Sequence, residues 1–208
     1  MLGTLFFFLR GIPFIYQGEE LGMTNTTFES IADVDDISTK NHYRISLADG
    51  LTPEEAIKAV NRYSRDNGRV PFPWGPGKNG EFTEGTPWMK PHPRYAEFNA
   101  KDEAQDPQSV LNYYKKMVAL RKSAYPGEQL TLGEIAPILL EYPDLIAYKR
   151  IKDGKEVAVI CSFSPCPLSV KLGFEPGKIF IANYEKPFEL SAEGYVLPPF
   201  SAFVCEIG

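Results

Sequence analysis

Residues that build metal sites and redox centres are scarce in this chain of 208 residues. It has three cysteines, Cys161, Cys166 and Cys205, and two histidines, His42 and His92. The odd cysteine count lacks CxxC spacing, and both histidines lie far from the thiols. A zinc site and a disulfide framework are therefore excluded, no metal or organic cofactor is expected, and the thiols read as reduced, in a cytoplasmic protein. There is no basic block, and the formal charge is -5. Phosphate binding wants concentrated Lys and Arg, so nucleic acid is not an expected partner. Long apolar runs are also missing. The most apolar stretch, MLGTLFFFL at 1–9, is less than half of the roughly 20 residues a membrane helix needs. It lacks the basic start and cleavage site of a secretory signal. No membrane partner follows from it.

What remains is an ordinary globular composition, 43% hydrophobic and 24% charged, enough for one large or two small domains. Leu2–Arg10 reads as the end of a core helix closed by Gly11, with Pro13 as a stop. Phe14–Gln17 then reads as a short, fully buried strand of the parallel type. Residues 23–50 are polar and read as an irregular loop, of the functional kind that follows a buried strand. A helix starts at LTPEEAIKAVNRYS, with Thr52 as N-cap, Pro53 in the first turn and Glu55 completing a capping box. Residues 64–88 are again loop, dense in Gly and Pro. DPQSVLNYYKKMVALRK, 106–122, reads as a helix capped by Asp106, with Val110, Tyr114, Met117 and Leu120 or Arg121 on one face. Beyond Tyr125 the period changes to two. DLIAYKRI and KEVAVICSF flank Asp153-Gly154, a hairpin signal, and LSVKLG, KIFIANY, FELS and GYVLPPFSAFVCEI continue an antiparallel sandwich or meander.

The strand at 14–17 has no parallel partner anywhere in these residues. Buried backbone donors do not stay unpaired at acceptable cost, so its neighbours are expected on another chain or on an upstream segment of a longer protein.

Two constellations carry chemistry. Gln17-Gly18-Glu19-Glu20 would sit at the C-terminal mouth of that strand. A catalytic carboxylate pair is disfavoured, because adjacent residues on an extended strand point to opposite sides, whereas a retaining glycosidase holds its two carboxyls about 5–5.5 Å apart on one substrate. One Glu is expected in a structural ion pair and the other at a site rim. Ser64-Arg65-Asp66-Asn67-Gly68-Arg69 places two arginines four apart in a loop. This is either a rigid fork of donors for hydroxyls or a carboxylate, or a solvated loop tied by an Arg–Asp pair. Phe72, Trp74, Phe82 and Trp88 are expected to pack the loops rather than stack on sugar. Tyr184, Phe188 and Tyr195 are the aromatics a carbohydrate-binding module would use, and core packing is the expectation there too.

GIPFIYQGEELGMTN (11–25) resembles the eighth-strand segment of the α-amylase superfamily of glycoside hydrolases, family 13. SRDNGRVPFPW (64–74) resembles the SRDNARTPMQW stretch of its oligo-1,6-glucosidase, α-glucosidase and dextran glucosidase branch. Residues 106–122 look like the last barrel helix, and the β-rich tail like the C-terminal domain. The resemblance implies an α+β fragment: the last β/α units of a (β/α)8 TIM barrel over 1–125, then an all-β antiparallel sandwich over 126–208. It implies a retaining enzyme cleaving α-glucosidic bonds of oligosaccharides. Its aspartate nucleophile, glutamate acid/base and second aspartate would lie on earlier strands, in a missing N-terminal barrel segment. The DxVxNH and GFRxD signatures of those strands do not occur here, so no catalytic residue is assigned and the fragment alone is expected to be inactive. By the same resemblance Arg69 would hold glucose hydroxyls in the innermost subsite, Arg65 would brace it or pair nearby, and Glu19 or Glu20 would line the subsite of the leaving sugar. Val70, Phe72-Pro73 and Gly75 depart from the Thr, Met-Gln and Asp of the branch. These departures leave open a trehalose-6-phosphate hydrolase or sucrose isomerase tail, or a non-catalytic binding or structural module.

Overall fold

The computed structural model describes residues 1–208, which separate into two packed units: Met1–Phe14 with Tyr113–Gly208, and Ile15–Asn112.

The first unit is built on antiparallel strands: β1 (Glu134–Ile138), β2 (Leu145–Lys152), β3 (Lys155–Ser162), β4 (Leu168–Val170), β5 (Pro176–Ala182), β6 (Glu189–Ser191), β7 (Gly194–Leu197) and β8 (Ala202–Ile207). They form a five-stranded sheet of order β1-β2-β3-β8-β5 and a three-stranded sheet of order β4-β7-β6. The expected hairpin is present. Lys152 pairs with Lys155, and the two loop residues, Asp153 and Gly154, have φ of 51° and 74°, the primed turn that matches strand twist. Successive side chains on a strand face opposite ways, and β3 uses both faces. Val157, Val159 and Cys161 join a core with Phe7, Phe8, Met117 and Leu130. Ala158 and Ile160 join another with Leu145, Val170, Leu197 and Phe203. The central strands are thus buried on both sides, while β1, which carries Pro137, takes an edge where a missing N–H is harmless. Helices α1 (Leu2–Phe7) and α6 (Gly127–Leu132) cover the first of these cores.

In the second unit α2 (Ile37–Ala48) and α3 (Pro53–Tyr63) pack beside 3-10 turns. Phe28, Val34, Val60 and Met89 form its core. The capping box of α3 is complete: Thr52 and Glu55 exchange side-chain and backbone hydrogen bonds. A short α4 (Ala100–Glu103) follows; α5 (Val110–Arg121) belongs from Tyr113 onward to the first unit.

Four expectations need correction. Residues 12–17 form no strand, and Ile12, Phe14 and Tyr16 are 82%, 85% and 61% exposed. A strand exists only as one side of a hydrogen-bonded ladder, and this chain supplies no second side. The first helix stops at Phe7, with Phe8 rather than Gly11 as its C-cap. Residues 37–48, read as loop, are α2. Its polar surface hid the helical period, although Asp36 accepts the Thr39 N–H as an ordinary N-cap. Finally, α5 begins at Val110 rather than beside Asp106. Asp106 caps the preceding turn by accepting from Gln108 N–H, and Ser109 Oγ accepts the N–H of Asn112.

Candidate functional site

The Ser64–Arg69 stretch folds as a 3-10 turn, and each polar side chain has a separate task. Ser64 Oγ accepts the Asp66 N–H. Asp66, fully buried, accepts the N–H groups of Asp35 and Asp36 on Oδ2 at 2.7 and 2.9 Å, and Arg69 Nη1 on Oδ1 at 2.8 Å. Asn67 accepts from Thr26 N–H and donates to Asn61 O. The Arg–Asp tie exists, and it uses one nitrogen of Arg69. The Arg69 side chain is 39% exposed, with Nε and Nη2 left as a pair of donors for a neighbouring molecule.

The residue that sequence reasoning missed is Asp36. As N-cap of α2 its Oδ2 accepts both the N–H and the hydroxyl of Thr39. Its Oδ1 meets Arg65 Nη2 at 3.2 Å and Arg69 Nη1 at 3.5 Å. Thr39 and then the two guanidiniums hold the Asp36 carboxyl below the usual carboxylate range, and the Asp66 hydrogen bond raises Arg69 above its usual value. Two carboxylates thus balance two guanidiniums. An Asp three residues before a Thr at a helix start was the available signal.

Glu19 and Glu20 do not lie on an extended strand, so the argument from alternation fails. They sit in a one-turn 3-10 helix, Glu19–Leu21, between two left-handed glycines. Gly18 has φ +94°, a left-handed conformation that a side chain would strain. Glu19 accepts the Tyr16 N–H at 3.2 Å and Glu20 the Gly18 N–H at 2.8 Å, so both carboxylates brace their own turn. Tyr16 ties this turn to the arginine motif by donating to Gly68 O.

The loop aromatics correct another expectation. Trp74, Phe82 and Trp88 are 57%, 49% and 70% exposed rather than packed, because no second layer of this unit covers the loop. Phe72 leans on Trp74 and Trp88 donates to Asp35. In the tail, Phe188 and Tyr195 pack edge-on in the core, and Tyr184 donates to Pro199 O. No group of three or more His, Cys, Asp or Glu is placed to hold a metal ion, all three cysteines are free, and no helix is long and apolar enough to cross a membrane.

His92, 2% exposed, supplies a pH dependence. Its Nδ1 accepts the Arg94 N–H while Nε2 lies 3.2 Å from Asn25 O, which assigns the neutral Nε2–H tautomer. Burial keeps its pKa below the ordinary histidine value. The unfolded chain therefore takes up a proton near pH 6.5 that the folded unit resists, and stability falls as pH drops through that range. The slope is bounded by one proton, about 1.4 kcal/mol per pH unit. Carboxylates held low by partners, such as Asp33 and Asp36, lose their contribution only below about pH 4. Denaturant midpoints measured between about pH 7.5 and 5.5 should fall for the natural chain and stay level for His92→Gln; a flat profile for the natural chain would show that the imidazole is protonated in place.

The family model described as alpha amylase, catalytic domain, matches residues 1–128. An oligo-1,6-glucosidase of Halalkalibacterium halodurans is 39% identical over 98% of this chain. Among solved structures, trehalose-6-phosphate hydrolase of Bacillus licheniformis superposes with a TM-score of 0.90 at 34% identity, and trehalulose synthase of Pseudomonas mesoacidophila with 0.87 at 33%, each over 100% of the chain. The chain spans 36% of the length of the first of these, 38% of the second and 37% of the third. With a family match over more than half its residues and a relative 39% identical over 98% of its length, the chain belongs to the α-amylase family, glycoside hydrolase family 13.

Proposed function

We propose that these residues are the C-terminal part of a cytoplasmic, retaining α-glucosidase of the oligo-1,6-glucosidase type. Residues 1–125 would close a (β/α)8 barrel and 126–208 form its β-sandwich domain. The family match ending at residue 128 supports that division. The observation that carries the functional reading is the Arg69 fork. It is held by Asp66 and Asp36 through one nitrogen and keeps its other donors for ligand hydroxyls. A planar pair of N–H groups suits the vicinal hydroxyls of a terminal glucose. Arg65 completes the brace from Asp36. Glu19 and Glu20 shape the turn and line the leaving-sugar side.

In the intact enzyme one carboxylic acid protonates the glycosidic oxygen as an aspartate attacks the anomeric carbon. The glycosyl-enzyme is then hydrolysed by water activated by the same acid/base residue. Those carboxylates belong to strands outside these residues, and the unpaired, exposed segment 12–16 is where the neighbouring strands would add.

Co-expression with the N-terminal segment of the Halalkalibacterium halodurans relative tests this. The 208-residue chain alone should release no p-nitrophenol from the aryl α-glucoside, and the pair should. Activity of the chain alone, or none from a pair that copurifies, would overturn the proposal. Running isomaltose beside trehalose 6-phosphate separates the favoured reading from that of a trehalose-6-phosphate hydrolase, the activity in the name of the Bacillus licheniformis structure with a TM-score of 0.90.

A further inference from the structure

Next to the arginine motif, α2 and α3 enclose a cleft of about 190 Å³. Its inner wall is Thr39 and Ser64, whose hydroxyls lie 3.2 Å apart and are already committed, Thr39 to Asp36 and Ser64 to Asp66. The cleft therefore backs onto the brace of Arg69 without containing it. Ala59 contributes an apolar patch to the side wall. The mouth is different. Tyr63 is 73% exposed, with the Arg62 guanidinium carbon 5.3 Å from its ring centroid, which leaves one ring face for a ligand, and His42 and Ser46 line the cleft from α2. No protein hydrogen bond takes up the imidazole of His42, the Oγ of Ser46 or the phenol of Tyr63.

Three properties select the occupant. The volume equals about six waters at ~30 Å³ each, below the ~300 Å³ at which drug-sized sites begin, so a single small ring fits and a disaccharide does not. No Lys, Arg, Asp or Glu lines the cleft, and a charged ligand would be desolvated without a partner. A purely apolar ligand would make no use of the hydroxyl and imidazole groups that converge at the mouth. A pyranose answers all three conditions, with one C–H face for the tyrosine ring and alanine patch and a rim of hydroxyls for His42, Ser46 and Tyr63.

We propose that the α2–α3 cleft is a second carbohydrate site that binds one neutral hexose, separate from the Arg69 fork. It goes beyond the proposed function and stands on the cleft alone; that reading only makes D-glucose, the expected product, the natural probe. So small a ligand in so open a cleft binds in the millimolar range, about 1–10 mM.

The test is an NMR titration of the full 208-residue chain with D-glucose, following the ring signals of His42, Tyr43 and Tyr63. Saturable shifts with half-saturation of about 1–10 mM are expected. Tyr63→Ala, at an exposed position that does not endanger folding, should raise half-saturation at least about tenfold, the loss expected when a stacking face and a hydroxyl go together. Ala59→Trp, which fills the cleft from an exposed position, should abolish the shifts. Arg69→Ala should leave half-saturation within about twofold, since Arg69 does not line the cleft and Thr39 keeps its hydrogen bonds to Asp36 without it. No saturable shift up to about 100 mM, or shifts that survive Ala59→Trp, overturn the site. Loss of binding in Arg69→Ala with Tyr63→Ala unaffected would overturn it too, while placing glucose at the fork and so upholding the proposed function.

Discussion

Arg69→Ala, placed in an enzyme that unites these residues with the upstream barrel segment, is expected to lower kcat/KM on isomaltose by about a hundredfold or more, the scale of lost positioning contacts. The expectation rests on how the guanidinium is held. Asp66 has no exposure, and its two oxygens serve three donors, of which Arg69 is one. Asp36 adds a second contact at 3.5 Å. A side chain pinned at one nitrogen keeps a fixed plane, and a fixed plane lets the remaining donors meet a hydroxyl pair at little entropic cost. Arg69→Lys keeps the charge and loses the fork, so it should recover less than a tenth of the loss. Asp66→Asn should fall between the two, because one of its terminal atoms becomes a donor facing either the Asp35 and Asp36 N–H groups or the guanidinium. Near-natural kinetics for Arg69→Ala would reduce the motif to a loop tie.

Arg150→Met is the second large effect, and it concerns stability. Arg150 is fully buried, and no carboxylate reaches it. Its guanidinium donates to the carbonyls of Phe8 at 2.5 Å, Leu130 at 2.6 Å and Gly133 at 2.9 Å. Phe8 is the C-cap of α1 and Gly133 that of α6. Two helix C-termini, each with carbonyls that have no intrahelical partner and a partial negative charge, thus face one cation. Arg121 works beside it, donating to Phe7, Leu9, Leu130 and Gly11 carbonyls. Burial lowers the pKa of both arginines, yet a guanidinium stays charged.

Methionine fills the volume and removes a desolvated charge, which helps, but it strips the Phe8 and Gly133 carbonyls of the guanidinium and leaves Leu130 O only the 3.4 Å contact of Arg121, which costs more. The net expectation is a loss of about 3 kcal/mol, seen as a Tm lower by roughly 6–12 °C for a chain of this length. Arg150→Lys should regain less than half, since one ammonium cannot reach acceptors on three segments. A Tm change within about 2 °C for Arg150→Met would mean that water serves those carbonyls.

These two arginines also mark how far the sequence could be read. Arg69 stands in a six-residue motif whose residue types offered either a donor fork or an Arg–Asp tie, and of these the tie is present. Arg150 lies in a strand with period two, in phase with Tyr148, and that phase alone points it inward. Its meaning was illegible, because its acceptors come from residues 8, 130 and 133.

By itself the sequence determined whatever depends on near neighbours: the Thr52–Glu55 capping box, the Asp153-Gly154 turn, and the alternation that buries β3 on both faces. Propensity, capping and pleat act over a few residues, so they can be read where they stand. Only the tertiary structure decided that Asp36, some thirty residues before the motif, would join Arg65 to Arg69. The same holds for the loop tryptophans, left exposed, and for residues 12–17, which form no strand. Each of these depends on which distant segment arrives to donate, accept or cover, and no local period records that arrival.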